Sequence, residues 1–124
     1  MNQEVKVQEI EWLSQEAEEA LVIVSDGFYS CHTFCQPCHK DIGEIIEEPL
    51  LSFGTKGIQL VNEDSVSIRR IEATFRHEIY AKVLDLECEI LEVGNIKFEL
   101  DTNFPKGLTL NSIIRFCCQR IDLF

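Results

Sequence analysis

The sequence predicts an all-β (mainly β) fold, a small antiparallel barrel or sandwich of roughly eight to ten strands. Turn-forming residues recur at intervals of about ten positions, and short runs rich in β-branched and aromatic residues lie between them. The dipeptides Asp26-Gly27 and Gly94-Asn95 predict hairpins, because type I′ and II′ turns need residues that tolerate positive φ. After the second dipeptide, alternating apolar and charged residues over 96–100 are typical of a strand with one buried face.

The first element is predicted to be a strand that leads into a tight turn. Between residues 8 and 19, Ile10 and Leu13 have helical spacing, but Ile10 and Trp12 also alternate. We expect a strand through Trp12 and a turn over residues 14–18, with Ser14 as its cap. The later predicted strands are 20–25, 28–34, 45–46 with 50–51, 58–61, 66–68, 71–75, 79–86, 90–93, 96–100 and 113–116.

The chain is predicted to form a single β domain over residues 1–124. This length is close to the commonest domain size and suffices for one hydrophobic core. Ile10-Glu11 and Ile71-Glu72 open two similar stretches, and each continues through a hairpin into a later strand. The domain is therefore expected to contain two similar β-meander halves, about residues 1–64 and 65–124.

Acidic residues are concentrated in the first half of the chain. Residues 1–64 carry 13 acidic and 3 basic side chains, whereas residues 65–124 carry 9 and 8. Such a surface repels phosphate backbones and attracts positive charge, so we expect a basic protein partner rather than nucleic acid. The candidate protein-binding residues are Glu16, Glu18, Glu19, Glu44, Glu47 and Glu48.

These features favour a non-enzymatic protein-interaction module whose acidic surface docks on a basic protein, as immunity proteins do when they neutralise basic toxins. The chain contains no Gly-x-Ser-x-Gly, phosphate-binding loop or His-Glu-x-x-His motif, so no complete catalytic signature is present. His77, between Arg76 and Glu78, is predicted to be a surface residue at the beginning of a strand. The identity of the partner and the oligomeric state are left open.

We expect a soluble cytoplasmic protein with free thiols. The longest uninterrupted apolar run, residues 20–24, is far shorter than the roughly 20 residues of a membrane helix. The first residues lack the basic and apolar regions of a signal peptide, and a reducing compartment would keep the six cysteines unpaired. Of the adjacent Cys117 and Cys118, alternation predicts that one lies in the core and the other faces outward.

Cys31, Cys35, Cys38 and His39 are the candidate metal ligands, since thiolates and imidazoles at short spacing can surround a zinc ion. We nevertheless expect no cofactor, because a strand would hold Cys31 and Cys35 about 13 Å apart. A small zinc-binding protein is the alternative. Cys35 and Cys38 also have the spacing of a redox pair, but the helix start on which thioredoxin-like sites depend is not predicted here.

The second half of the chain resembles the core of an OB-fold over residues 77–124. The pattern comprises the run 79–86, the Gly94-Asn95 hairpin, Leu100-Asp101, the stretch 105–107 and the strand 113–116. It is also similar to small uncharacterised bacterial domains of the same style. The resemblance implies an alternative function, the binding of oligonucleotides or oligosaccharides. The residues that could bind a single strand are Arg69, Arg70, Arg76 and Tyr80, although arginines also form ordinary ion pairs across strands.

Overall fold

A computed structural model describes residues 4–124, and all its strands belong to one sheet. The all-β prediction is confirmed, and no segment of this described part forms a helix that is long and apolar enough to cross a bilayer. Residues 4–124 contain eleven strands, more than the roughly eight to ten predicted. They are β1 (Lys6–Ser14), β2 (Glu19–Ser25), β3 (Ser30–Cys35), β4 (Leu50–Phe53), β5 (Lys56–Val61), β6 (Ser67–Arg70), β7 (His77–Asp85), β8 (Ile90–Val93), β9 (Ile96–Leu100), β10 (Ile113–Cys118) and β11 (Arg120–Asp122).

The predicted turns close hairpins where expected. Gly94-Asn95 alone connects β8 to β9, and Gly94 has a φ of +59°. Asp26-Gly27 begins the four-residue loop between β2 and β3, which a backbone hydrogen bond from Asp26 to Tyr29 closes (3.2 Å). The turn after β1 is also confirmed, and Ser14 caps it by accepting a hydrogen bond from the Ala17 N–H (3.1 Å).

Two predicted strands are wrong. At 45–46, Ile45 forms only an isolated bridge with Lys6, and Ile46 belongs to no strand. Residues 71–75 form a turn between β6 and β7, although their apolar and polar residues alternate as in a strand. Glu72 has a φ of +53°, and the Ile71 N–H donates to the Arg76 carbonyl (2.9 Å). The Thr74 hydroxyl donates to the Ile71 carbonyl, so local side-chain hydrogen bonding replaces sheet pairing here.

The sheet differs from the predicted antiparallel barrel or sandwich. Neighbouring strands follow the order β1-β2-β3-β11-β4-β9-β8-β7-β10-β5. The remaining strand, β6, pairs with β7 on the edge opposite β10. This order has two free ends, β1 and β5, so the sheet is not closed. Two pairs, β3 with β11 and β4 with β9, are parallel. Only Gln119 separates β10 from β11, and the chain passes there from beside β7 to a place between β3 and β4.

The core lies on the inner face of this coiled sheet. Strand alternation places every second residue of β7, from His77 through Ile79 and Ala81 to Val83, on that face. Phe98, Phe116 and Leu50 are the bulkiest of the fully buried side chains. The prediction for the adjacent cysteines is confirmed, because Cys118 is buried and Cys117 is partly exposed on the outer face.

The carboxylate of Asp26 joins the two hairpin turns. Its Oδ1 accepts hydrogen bonds from the N–H groups of Phe28 (2.9 Å) and Tyr29 (2.7 Å), and its Oδ2 accepts one from Asn95 (2.9 Å). Burial raises the pKa of Asp26, but the N–H groups of Asn95, Tyr29 and Phe28 outweigh it and leave the pKa below its usual value. A side chain at Gly94 would collide with Asp26 and Tyr29, so glycine is required for this close approach.

Candidate functional site

A short connecting segment, residues 45–49, forms one wall of a groove on the surface. This segment, called the strap below, enters from a β-bridge between Ile45 and Lys6 and ends where β4 begins. The groove has a volume of about 440 Å³ and separates the strap from the β8–β9 hairpin. Its lining residues are Glu4, Val5, Ile45, Ile46, Glu47, Glu48, Leu50, Glu92, Asn95, Ile96 and Lys97.

Backbone hydrogen bonds to the start of β1 hold the strap in place. The Val7 N–H donates to the Glu44 carbonyl (2.9 Å), and the Ile46 N–H donates to the Val5 carbonyl (2.8 Å). The Glu44 carboxylate accepts from the Asp41 N–H (3.0 Å) and the Lys40 ammonium (3.3 Å). The Asp41 N–H and Lys40 lower the pKa of Glu44. Glu44, a candidate binding residue, therefore also helps to position the strap.

The groove has an apolar floor and acidic walls. Val5, Leu50 and Ile96 are buried on the floor, and Ile45 remains 46% exposed at the rim. Four carboxylates line the walls against a single lysine, Lys97. One of the four, Glu92, is paired with Lys82 across β7 and β8 (3.4 Å). The groove thus offers negative charge around an apolar surface.

Two smaller depressions extend this surface past the strap. One has a volume of about 300 Å³ and the other about 190 Å³, and both share Glu48 with the groove and Phe124 with each other. Phe124 is 76% exposed beside them. A ligand that crosses the strap would therefore meet further apolar surface together with Glu99.

A further depression of about 640 Å³ lies beside β5 and has a different character. Its charged residues, Glu63, Asp64 and Lys82, are of both signs. Leu60 at its edge is 65% exposed, and it does not form a buried floor. The acidic groove is therefore the better-defined recognition surface.

The predicted acidic residues are not all brought together. Glu47 and Glu48 line the groove. Glu16, Glu18 and Glu19 lie instead at the β1–β2 turn, where Glu18 is 3.4 Å from His39 Nδ1 and Glu19 accepts a hydrogen bond from Gln36 (3.2 Å).

Two further acidic residues that line the groove, Glu4 and Glu92, were not predicted. They belong to distant parts of the chain, and no local sequence pattern around either residue indicates that it lines the groove. Glu92 lies within a predicted strand, and its partner in the sheet could not be deduced from that strand alone.

The arginines of the alternative nucleic-acid surface make contacts within the chain. Arg69 and Arg115 both pair with Glu78, at 2.6 and 2.9 Å, and these contacts lower the pKa of Glu78. Arg70 donates to the Thr74 carbonyl (2.7 Å). Tyr80 stands opposite Arg115 in the β7–β10 register, and Arg76 is exposed in the turn before β7. Glu78 thus partly offsets the charge of Arg69 and Arg115.

The four candidate zinc ligands point to different places. Cys31 faces His77 in the core, with 4.0 Å between Sγ and Nε2, whereas His39 is exposed beside Glu18. Cys35 and Cys38 lie together at the end of β3. Among residues 4–124, no three histidine, cysteine or acidic side chains are grouped so that they could hold a metal ion.

His77 corrects a sequence prediction. It begins β7 as expected, but it is buried and not on the surface. Its Nδ1 is 2.9 Å from the Phe75 carbonyl, which makes Nδ1 the protonated nitrogen. Burial lowers the pKa of His77 to about 4, so the ring is neutral at pH 7. This histidine therefore packs as part of the core.

The chain matches no protein-family model, no curated protein and no solved structure. Its function is therefore inferred from the chemistry of the groove.

Proposed function

We propose that the chain is a non-enzymatic interaction module that binds a basic, partly apolar segment of another protein in the acidic groove. Four carboxylates and one lysine surrounding an apolar floor are the observation that carries this proposal. Positive side chains of the partner would face the walls, and its apolar side chains would cover Ile45 and Phe124. A cationic toxin bound by an immunity-type inhibitor has this chemistry.

The acidic walls also favour a protein over a nucleic acid. Nucleic acids gain affinity when lysine and arginine side chains displace the counterions of their phosphates into solvent, and the lining of the groove contains one basic residue, Lys97. The net charge of the whole chain, −11, adds a long-range attraction for cations. Specific recognition therefore has to be separated experimentally from this general attraction.

The test uses fluorescent peptides of alternating lysine and leucine, with lysine–serine and glutamate–leucine peptides for comparison. We expect the lysine–leucine peptide to bind most tightly, as followed by fluorescence anisotropy. Changing Glu47 and Glu48 together to Gln should weaken its binding about tenfold, because two charge pairs beside the apolar floor are lost. The affinity should also fall as salt rises, because exposed charges are screened beyond about 10 Å at 0.1 M ionic strength.

The matched control changes the same number of charges elsewhere. Glu16 and Glu87 are exposed and lie outside the groove, so the double change of these two residues to Gln should leave peptide affinity within about twofold. Equal weakening by both double variants would show that only net charge attracts the peptide. Preferential binding of a single-stranded oligonucleotide, lost when Arg69, Arg70 and Arg76 are replaced, would contradict the proposal and favour the OB-type alternative.

A further inference from the structure

A pair of cysteines lies just beneath the surface at the end of β3. Cys35 and Cys38 are three positions apart and are only 1% and 2% exposed, whereas Gln36 and Pro37 between them face solvent. Cys35 Sγ lies 4.0 Å from the Pro37 carbonyl oxygen, so the chain curves around this sulfur. The Cys38 side chain is near enough to contribute to the raised pKa of the Cys35 thiol. The two buried thiols are therefore neighbours, and the two residues that connect them are exposed.

The backbone holds both cysteines on either side of this turn. Cys35 is opposite Ala20 in the β2–β3 register, and the Cys38 N–H donates to the Glu18 carbonyl (2.8 Å). Both contacts belong to the β1–β2 hairpin and the turn at its end. A covalent link between the sulfurs would therefore join two positions that the fold already keeps together.

The other thiols have different surroundings. Cys88 is exposed in the turn between β7 and β8, and Cys117 is on the outer face of β10. Cys31 is in the core against His77, and Cys118 is buried directly after Cys117. Adjacent cysteines in a strand point to opposite faces and can join only with strain. Cys35 and Cys38 are the pair that a single short turn brings together.

We propose that Cys35 and Cys38 form a reversible disulfide by exchange with a small-molecule disulfide such as oxidised glutathione. One protein thiol, as its thiolate, breaks the sulfur–sulfur bond of the oxidant, forms a mixed disulfide and releases one reduced thiol. The second protein thiol then displaces the other half of the oxidant and closes the Cys35–Cys38 bond. Two protons leave the protein thiols and two reduced small thiols result, so atoms and electrons balance.

The surroundings of the pair predict slow closure. Burial, together with the contact to Cys38, raises the pKa of Cys35 to about 12, so little thiolate is present at pH 7. No helix begins at the pair to lower that pKa, in contrast to thioredoxin-like sites. The pair is thus suited to holding a disulfide and not to rapid turnover. This inference is independent of the proposed peptide-binding function.

The experiment uses the full chain with Cys88 and Cys117 changed to Ser, which removes the two thiols that solvent reaches. The folded protein is equilibrated in buffers with rising ratios of oxidised to reduced glutathione, quenched with acid, and blocked with iodoacetamide in denaturant. Compared with the reduced protein after the same alkylation, the oxidised protein should carry two fewer carbamidomethyl groups and two fewer hydrogen atoms, with no glutathione attached. Cleavage after Phe34 and Lys40 releases a peptide with Cys35 and Cys38 as its only cysteines, and this peptide should carry the link.

Control variants and a second probe distinguish the outcomes. Changing Cys35 or Cys38 to Ser should abolish the mass loss, and Cys31 and Cys118 should remain alkylated throughout. The reduced wild-type protein should also bind one equivalent of phenylarsine oxide, which bridges neighbouring thiols. Neither single variant should bind this equivalent. The proposal would be overturned if Cys35 and Cys38 stayed reduced in the most oxidising buffer, or if they formed the disulfide only in denaturant. Failure of the reduced protein to bind phenylarsine oxide would also overturn it.

Discussion

Changing Asp26 to Ala is expected to lower the free energy of unfolding by about 3 kcal/mol or more. The substitution leaves three backbone N–H groups, those of Phe28, Tyr29 and Asn95, without their acceptor. Each hydrogen bond to a charged group contributes about 1.5–3 kcal/mol, and the three are not fully additive. Urea denaturation at pH 7 measures the loss.

Asn at position 26 provides an intermediate case, because it retains one acceptor oxygen but no charge. The pKa of Asp26 is lower in the folded chain than in the unfolded one, so its contribution is complete above the unfolded value of about 3.9. The contribution disappears as the pH falls through the folded pKa, and the difference between wild type and Asp26→Asn should narrow at pH 3. Asp64→Ala, at an exposed site, should change stability by less than about 0.5 kcal/mol. An Asp26→Ala protein as stable as that control would contradict the role of the carboxylate.

Lowering the pH from 6.5 to 4 is expected to destabilise the protein by about 3 kcal/mol through His77 alone. The unfolded histidine takes up a proton near pH 6.5, whereas the buried ring does so only at about pH 4. Between these values the unfolded state binds more protons, so stability rises with pH. Urea denaturation from pH 7.5 to 4.5 should show this slope.

Changing His77 to Gln should remove most of this pH dependence, since Gln keeps an N–H for the Phe75 carbonyl but does not titrate. A smaller slope should persist from His32, whose pKa burial and Arg70 also lower. His39→Gln is the matched control, because it removes a histidine that is exposed at the surface. If the His77 variant does not fold, proton NMR of the wild type can follow the ring directly. A ring that titrates above pH 6 would refute the assignment.

The strands and hairpins were largely predictable, whereas their arrangement was not. Alternation and turn-forming dipeptides are local, so they place β8, β9 and the turn between them correctly. Strand order depends on pairing between distant segments, and nothing near β4 or β9 indicates that they lie side by side in parallel. Residues 71–75 show the limit of alternation, because Thr74 can bond to the Ile71 carbonyl and so stabilise a turn with the same pattern.

The candidate site was predictable only where its residues are neighbours in the sequence. Glu47 and Glu48 stand out as a local acidic pair next to apolar residues, but Glu4 and Glu92 join them only through the fold. His77 was misassigned because its charged neighbours, Arg76 and Glu78, indicate a surface. Its two-residue spacing from Ile79 was the better signal, since it places the ring on the inner face of β7.

The passage from β10 to β11 has a consequence for the way the chain folds. β11 pairs with β3 through Asp122 and Phe34, which are separated by most of the chain, and β4 depends on β11 and β9 for its neighbours. Pairing between such distant segments requires closing long loops, which loses chain entropy before any contact stabilises the structure. Folding is therefore expected to take milliseconds to seconds. Until β11 inserts, β3 and β4 expose unpaired edges to other molecules. Refolding yield should therefore fall as protein concentration rises.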